Sequence, residues 1–487
     1  MVIKNLVMKT SFLLFFVLIS GFAVTSNAQL SLSDLRSVMN EALVAGKNEE
    51  VIRIADSLEA AGRTEISAPF YRAKANEALM RYNKAYDDFK KWYETDTTNL
   101  AAAIAVARMA NLAGRTDEAA MLYEKLLATD SLSFSLNYQL ARIYQNRNDH
   151  FKALNVFQRI YPADSLNVSL LVNMGDSYNE LQIYPGAIGA YSTAFYQNPY
   201  NQNVAIKAVN AIIAFKDMLA DSIAGAIAIV DTALVYVPQS LPLKQTKGIL
   251  CFMNGDNKSA SMLLENVIAG GDSSKVNFRY LALSHYKLRN FVKAMTAYKC
   301  AYELYKNPDG SSQDGSVVLK YAELLGRFGQ QSQSGRILNE YEEQLKPAVT
   351  VMAQIYYLKG MNYSLAGNRE QAARHFWKSY NYHPLKNALL NYTNQFYNIL
   401  DTEVYEKSAR AFLDEAIYAN ILLLEKVEDN NPGNPDSMHA ASRKIIYNEI
   451  QRLFMQGETE LSITDADQRK HVYTVDKLRS LIRENTY

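Results

Sequence analysis

Residues 168–199 read VSLLVNMGDSYNELQIYPGAIGAYSTAFYQNP, and this stretch decides the fold. Leu171, Met174, Gly175 and Tyr178 fall at the three- and four-residue spacings that set side chains on one face of a helix, and Ala187, Tyr191 and Ala194 do the same in a second. Pro199 ends the unit. Gly175 supplies a position without a side chain where the two helices can approach closely, so the segment reads as an antiparallel helical hairpin with large residues packed over small ones.

Working outward, Ala187 is one of a series. Ala85, Ala119 and Ala153 precede it at steps of 34 residues. After a five-residue insertion the register resumes at Ala226, Ala260 and Ala294, and it reappears with longer connections at Ser334 and Ala372. The surrounding residues recur in phase: Leu140, Ala141, Tyr144, Ala153 and Phe157; Phe278, Leu281, Ala282, Ala294, Tyr298 and Ala301; Tyr356, Gly360, Tyr363, Ala372, Phe376, Ser379 and Pro384. Ala113-Gly114-Arg115, Asn254-Gly255-Asp256 and Ala366-Gly367-Asn368 supply residues tolerant of positive φ, which end one helix and begin the next. A lone hairpin cannot bury its apolar face. Stacked hairpins bury a continuous core and leave a concave and a convex surface.

Over roughly residues 32 to 384 the pattern resembles the tetratricopeptide repeat family, in which a large residue, Leu-Gly, Tyr, Ala, an aromatic, Ala and a final Pro recur every 34 residues. The first-position Trp of that family is absent. The resemblance implies an all-α, right-handed superhelical solenoid of about ten antiparallel helix pairs over residues 29 to 384. Residues 385 to 487 read as a degenerate repeat and a C-terminal helical cap. Residues 32 to 65 fit in phase through Leu35, Val38, Ala42, Gly46, Ala55 and Leu58, with Val51 in place of the anchor Ala. Beyond Leu385, helical runs are expected at 386 to 400, 403 to 426 and 437 to 456, with a loop at Asp429-Asn430-Asn431-Pro432-Gly433-Asn434-Pro435 and a last helix near Val475 to Arg483.

Composition agrees with a repeat array. In 487 residues, 48% are apolar, 21% charged and only 11 are proline, and a chain of this length exceeds what one compact core serves. Lys4 and Lys9 precede an apolar run from Phe12 to Val24, and Ser26-Asn27-Ala28 offers small residues for cleavage, so residues 1 to 28 read as a secretory signal peptide with Gln29 as the mature start. No Cys follows the small residues, which argues against a lipoprotein anchor, and no second apolar stretch is long enough to cross a bilayer. The chain is expected to be exported to the periplasm or surface of a bacterium. Its net charge is +1 with the leader and −1 without Lys4 and Lys9. Basic and acidic residues are interspersed throughout, which excludes the concentrated basic face of a nucleic-acid binder.

Catalytic and metal chemistry find little support. Gly175-Asp176-Ser177 lies mid-helix, Gly175 is needed for packing, and no His or Asp completes a triad. His150, His285, His375, His383, His439 and His471 are scattered without metal-ligand spacing, with His285 at the position usually held by the core Tyr of the repeat. Cys251 and Cys300 sit at repeat positions that do not face each other, so two free thiols are expected. Asp87-Asp88, Glu342-Glu343 and Glu49-Glu50 diverge around their helices. The chain reads as a non-enzyme with no cofactor and no metal.

The resemblance also assigns a groove. By carry-over, Tyr138 and Tyr357 face the concave wall at one position of two first helices and Tyr286 faces it at another. Arg108, Arg142 and Asp176 form one row, and Asn111, Gln145 and Asn179 a second. Tyrosine gives rigid amphipathic contact area, and guanidiniums and amides can bond an extended backbone and its carboxylates; a solvated polar face would show the same residues. The repeat positions Ala119, Ala153, Gly175, Tyr178, Ala187, Ala260, Ala294, Gly360 and Ala372 are read as structural. The expected function is a protein- or peptide-binding scaffold of the cell envelope, its partner unnamed. The alternative is a carbohydrate-binding component of an outer-membrane uptake system, in which Tyr138 and Trp377 would touch the glycan.

Overall fold

The computed structural model describes residues 32–63, 67–215, 221–305, 314–345, 347–400, 403–404, 408–430 and 437–484. The segment read as an export signal lies outside the described residues, as does most of the loop expected at 429 to 435. Two compact units are present, one ending at Asn198 and the other beginning at Pro199.

In the first unit five antiparallel pairs follow one another: α1 (Leu32–Val44) with α2 (Asn48–Ala60), α3 (Ala68–Ala78) with α4 (Tyr82–Thr95), α5 (Leu100–Leu112) with α6 (Thr116–Leu127), α7 (Phe134–Asn146) with α8 (His150–Ile160), and α9 (Val168–Glu180) with α10 (Tyr184–Gln197). Each second helix also packs on the first helix of the next pair, so the core runs along the unit. The anchors Ala85, Ala119, Ala153 and Ala187 are completely buried, and Val51 fills the same place in the first pair. A β-carbon at Gly175 would stand 2.5 Å from the Tyr191 ring. The small residue is therefore dictated by the large one sixteen positions later.

The link inside each pair carries a second periodic signature. Gly46, Met80, Gly114, Asn148 and Gln182, at steps of 34, all adopt left-handed backbone with φ between 57° and 79°. The next residue donates its N–H back into the first helix, as Arg115 N does to Ala110 O and Ile183 N to Tyr178 O, each at 2.8 Å, which satisfies carbonyls left open at the helix end. Glycine chemistry pointed to this turn at Gly114; geometry places Met80, Asn148 and Gln182 there as well.

The second unit continues the scheme with α11 (Gln202–Ala214) and α12 (Ser222–Tyr236), α13 (Leu241–Met253) and α14 (Asn257–Ala269), α15 (Lys275–Lys287) and α16 (Phe291–Tyr305), α17 (Gly315–Arg327) and α18 (Gln331–Leu345), and α19 (Val349–Leu365) and α20 (Arg369–Tyr382). Ala226, Ala260, Ala294, Ser334 and Ala372 are completely buried. A β-carbon at Gly360 would meet Phe376 at 2.7 Å. The Ser334 hydroxyl is satisfied by donating to Ala322 O at 2.7 Å and accepting from Asn362 Nδ2 at 2.8 Å, which explains how a polar residue serves as an anchor.

After α20 the scheme changes. The run expected over 386 to 400 breaks into α21 (Lys386–Asn394) and a 3₁₀ turn, Tyr397–Leu400; the next long helix is α22 (Arg410–Lys426), followed by α23 (Met438–Met455). A β-hairpin that the sequence reading did not anticipate follows, β1 (Glu460–Thr464) paired antiparallel with β2 (Lys470–Thr474), before the closing helix α24 (Val475–Glu484). Leu461 and Ile463 alternate inward from β1 and join Leu478 and Leu481 of α24 in a core shared with α20, α22 and α23.

Candidate functional site

The first helices of successive pairs lie side by side, so residues about 34 apart meet across neighbouring repeats. In the first unit three of the expected groove residues, Arg108, Tyr138 and Gln145, use this proximity to bond side chains or backbone of a neighbouring repeat. Arg108 pairs with Glu77 of the preceding first helix, its Nη2 3.0 Å from Oε2. The Tyr138 hydroxyl accepts from Asn173 Nδ2 at 2.7 Å, and its ring stacks on Phe134. Gln145 Nε2 donates to Asn173 O and Ser177 Oγ, both at 2.8 Å.

Asp176 turns toward the second helix of its own pair, where it accepts from the Tyr191 hydroxyl at 2.6 Å. Burial and that carboxylate both push the Tyr191 phenol up, so it stays a donor. Arg142 is exposed, and Asn111 and Asn179 are half-buried. The two rows read from the sequence are thus divided between side chains that tie the wall together and side chains that remain at its surface. Tyr178, the core position of this repeat, is itself half-buried and takes a hydrogen bond from Gln158 Nε2 at 3.2 Å.

A cleft of about 360 Å³ opens in the second unit between the first helices α17 and α19. Leu319, Leu358, Met361 and Leu365 give it an apolar surface, while Lys320, Glu323, Arg327, Gln354 and Tyr357 line it with polar groups. Glu323 is the hub. It accepts from Lys320 at 2.7 Å, from Arg327 at 2.8 Å and from the Tyr286 hydroxyl at 2.9 Å. Burial draws the Lys320 ammonium down, but the hydrogen bond and charge of Glu323 outweigh it and hold the group above its ordinary value, so it stays charged. Lys320 also sits 4.7 Å from the centre of the Tyr286 ring.

Tyr357 is braced by Asn391, whose Nδ2 donates to its hydroxyl at 3.1 Å, and by Phe376 with ring centres 5.7 Å apart. Two tyrosines placed by the resemblance therefore flank one cleft, Tyr357 lining it and Tyr286 fixing its central carboxylate. One carboxylate facing two cations leaves the cleft with a positive surplus. Lys320, Glu323 and Arg327 were not singled out by sequence reasoning, although their i, i+3, i+7 spacing marks a polar stripe on a first helix.

The other candidate chemistries resolve into packing. Ser177 is completely buried and accepts from Gln145. His285 is buried with Nε2 3.3 Å from Glu265, and burial draws its imidazole down. His375 bonds Gln371 O, His439 bonds Val427 O and His471 bonds Asp465. Among the described residues no group of three or more His, Cys, Asp or Glu is placed to hold a metal ion. Cys251 and Cys300 are free thiols. Trp377 is 5% exposed, enclosed by Tyr380, Tyr392 and Tyr418, so it offers no surface to a glycan. No helix among the described residues is long and apolar enough to cross a membrane.

No protein-family model matches the chain, and no curated protein matches it. Among solved structures it is similar to YrrB, described as a TPR protein with an unusual peptide-binding site, at 20% identity over 43% of this chain and 100% of that one, with a TM-score of 0.36. A tetratricopeptide repeat protein from Parabacteroides merdae is 16% identical over 56% of this chain and 97% of that one, with a TM-score of 0.33. The C-terminal part of a TPR repeat-containing protein from Cytophaga hutchinsonii is 16% identical over 57% and 99%, with a TM-score of 0.40. The pairing, the buried anchors and the turn geometry of the chain itself identify its architecture: an all-α array of tetratricopeptide-like helix pairs.

Proposed function

We propose that this chain is a non-enzymatic scaffold of the bacterial cell envelope that binds a protein or peptide segment along its first-helix face. The observation that carries the reading is the α17/α19 cleft. An apolar surface beside the surplus cation of the Lys320, Glu323 and Arg327 cluster suits an extended segment that presents an apolar side chain and a carboxylate. Arg142, Asn111 and Asn179 add surface donors on the corresponding face of the first unit. The leader-like segment with Lys4, Lys9 and the Phe12 to Val24 run supports export.

The test is a pull-down from envelope extract of the producing bacterium, using the wild type and the variants Tyr357→Ala and Arg327→Ala. The reading expects a partner recovered by the wild type and reduced at least about tenfold by each variant, since losing a packed ring or a charged hydrogen bond is worth on the order of 1.4 kcal/mol or more. Equal recovery by all three proteins contradicts the cleft. Export is tested separately by mass spectrometry of the mature protein, for which Gln29 is the expected N-terminus and retention of Met1 the contrary result.

A further inference from the structure

A second cavity, of about 380 Å³, lies away from the α17/α19 cleft, where α20, the Tyr397–Leu400 turn and the start of α22 meet. Its polar groups converge in an unusual way. Glu415 projects from the first turns of α22 and, among the described residues, receives a single hydrogen bond, from the Tyr392 hydroxyl at 3.1 Å. Burial pushes the Glu415 carboxyl above its usual range, outweighing that hydrogen bond and the charge of Arg374.

Glu415 thus lines the cavity as a half-buried carboxylate, and the guanidiniums of Arg369 and Arg374 line it with donors. An ammonium is the group that answers Glu415, since it carries three donors and its charge favours the carboxylate form. The rest of the lining selects further. Phe396 and Phe412 stand with ring centres 5.4 Å apart and give an apolar wall. At the mouth, Arg374 bonds Glu370 through Nη2 at 2.7 Å, and a guanidinium has further donors to offer a second carboxylate.

We propose that this cavity binds a small zwitterion, an α-amino acid with an apolar side chain. Its ammonium bonds Glu415, its carboxylate meets Arg374, and its side chain lies against Phe396 and Phe412. The volume suits a ligand of this size, with polar anchors at two ends and an apolar wall between them. The site is independent of the peptide cleft: it uses different helices, and either can stand without the other.

The experiment is calorimetric titration of the whole chain with L-phenylalanine, 2-phenylethylamine, which lacks the carboxylate, and 3-phenylpropionate, which lacks the ammonium. L-Phenylalanine is expected to bind, and each truncated probe to bind at least about tenfold more weakly, because each leaves a charged partner unmet. Glu415→Gln is expected to reduce phenylalanine binding at least about tenfold and to retain the wild-type circular dichroism spectrum. Arg374→Met, at an exposed position where folding is not at stake, provides the second variant and the same expectation. Absence of phenylalanine binding at millimolar concentration overturns the proposal, as does 3-phenylpropionate binding as tightly as phenylalanine, or both variants binding like the wild type.

Discussion

The first unit and the end of the second hold themselves together in different ways. From α3 to α10 the interior is made largely by one device repeated, a small residue under a large one, as in Gly175 beneath Tyr191, with four buried polar side chains among the described residues, Asn76, Asp88, Asn137 and Ser177. From α21 to α24 the interior is studded with them. Glu449, 1% exposed, lies between Arg410 and Arg452; Asn420 accepts from Ser442 at 2.6 Å; Arg443 reaches Asp429 at 2.9 Å. A repeat gains its register from neighbours of the same kind. An end segment has no such neighbour, and satisfied polar contacts that only one arrangement permits can fix its pairing instead.

The sharpest break in this comparison is at Trp377, where the repeat core meets the C-terminal core. Trp377→Ala is expected to destabilise by about 3–5 kcal/mol, measured by chemical denaturation, because it empties a fully enclosed aromatic site. Trp377→Phe should lose much less, since the indole Nε1 has no partner among the described residues and its removal relieves a buried donor. On the repeat side, Gly175→Ala and Gly360→Ala should each lose about 1–3 kcal/mol, because the new methyl meets a ring and not open space.

The opposite sign is expected at the turns. Met80→Gly, Gln182→Gly and Arg289→Gly relieve left-handed strain in an L side chain, and each should gain up to about 1 kcal/mol. The hairpin gives a smaller and more local effect. Burial tends to raise the Asp465 carboxyl, but hydrogen bonds from His471 Nε2 and from the backbone N–H groups of Arg469 and Asp467 hold it below its usual value. A carboxyl depressed in the folded state contributes stability above its unfolded value of about 3.9, and that contribution is lost as pH falls through the folded value. Hydrogen exchange should therefore show β1 and β2 opening before the repeat helices as pH is lowered below about 4, and the Asp465→Asn variant should remove that order.

The 34-residue spacing made the helix pairs, the anchors and the tight turns legible, because each rests on a residue type that only one backbone environment favours. The left-handed turns at Met80, Gln182 and Arg289 were hidden because these residue types do not favour left-handed backbone, whereas Asn148 tolerates it. The β-hairpin was hidden for a related reason: its five-residue strands carry only Leu461 and Ile463 as an inward pair, too short a pattern to separate from a loop. For the groove, position within the repeat placed Tyr286 and Tyr357 at a cleft. It could not tell that Arg108, Tyr138 and Gln145 would bond across the wall, since those partners, Glu77 and Asn173, lie in other repeats.

On the proposed reading a partner meets the first-helix face, and site-specific photo-crosslinking reads that face directly. A benzoylphenylalanine at the exposed Gln354, on the rim of the α17/α19 cleft, is compared with one at Met262, 62% exposed on the second helix α14. An adduct with a cell-envelope protein or peptide is expected at position 354, lost when Tyr357 is also replaced by Ala, and none at position 262. Adducts at position 262 with none at 354 would contradict that reading.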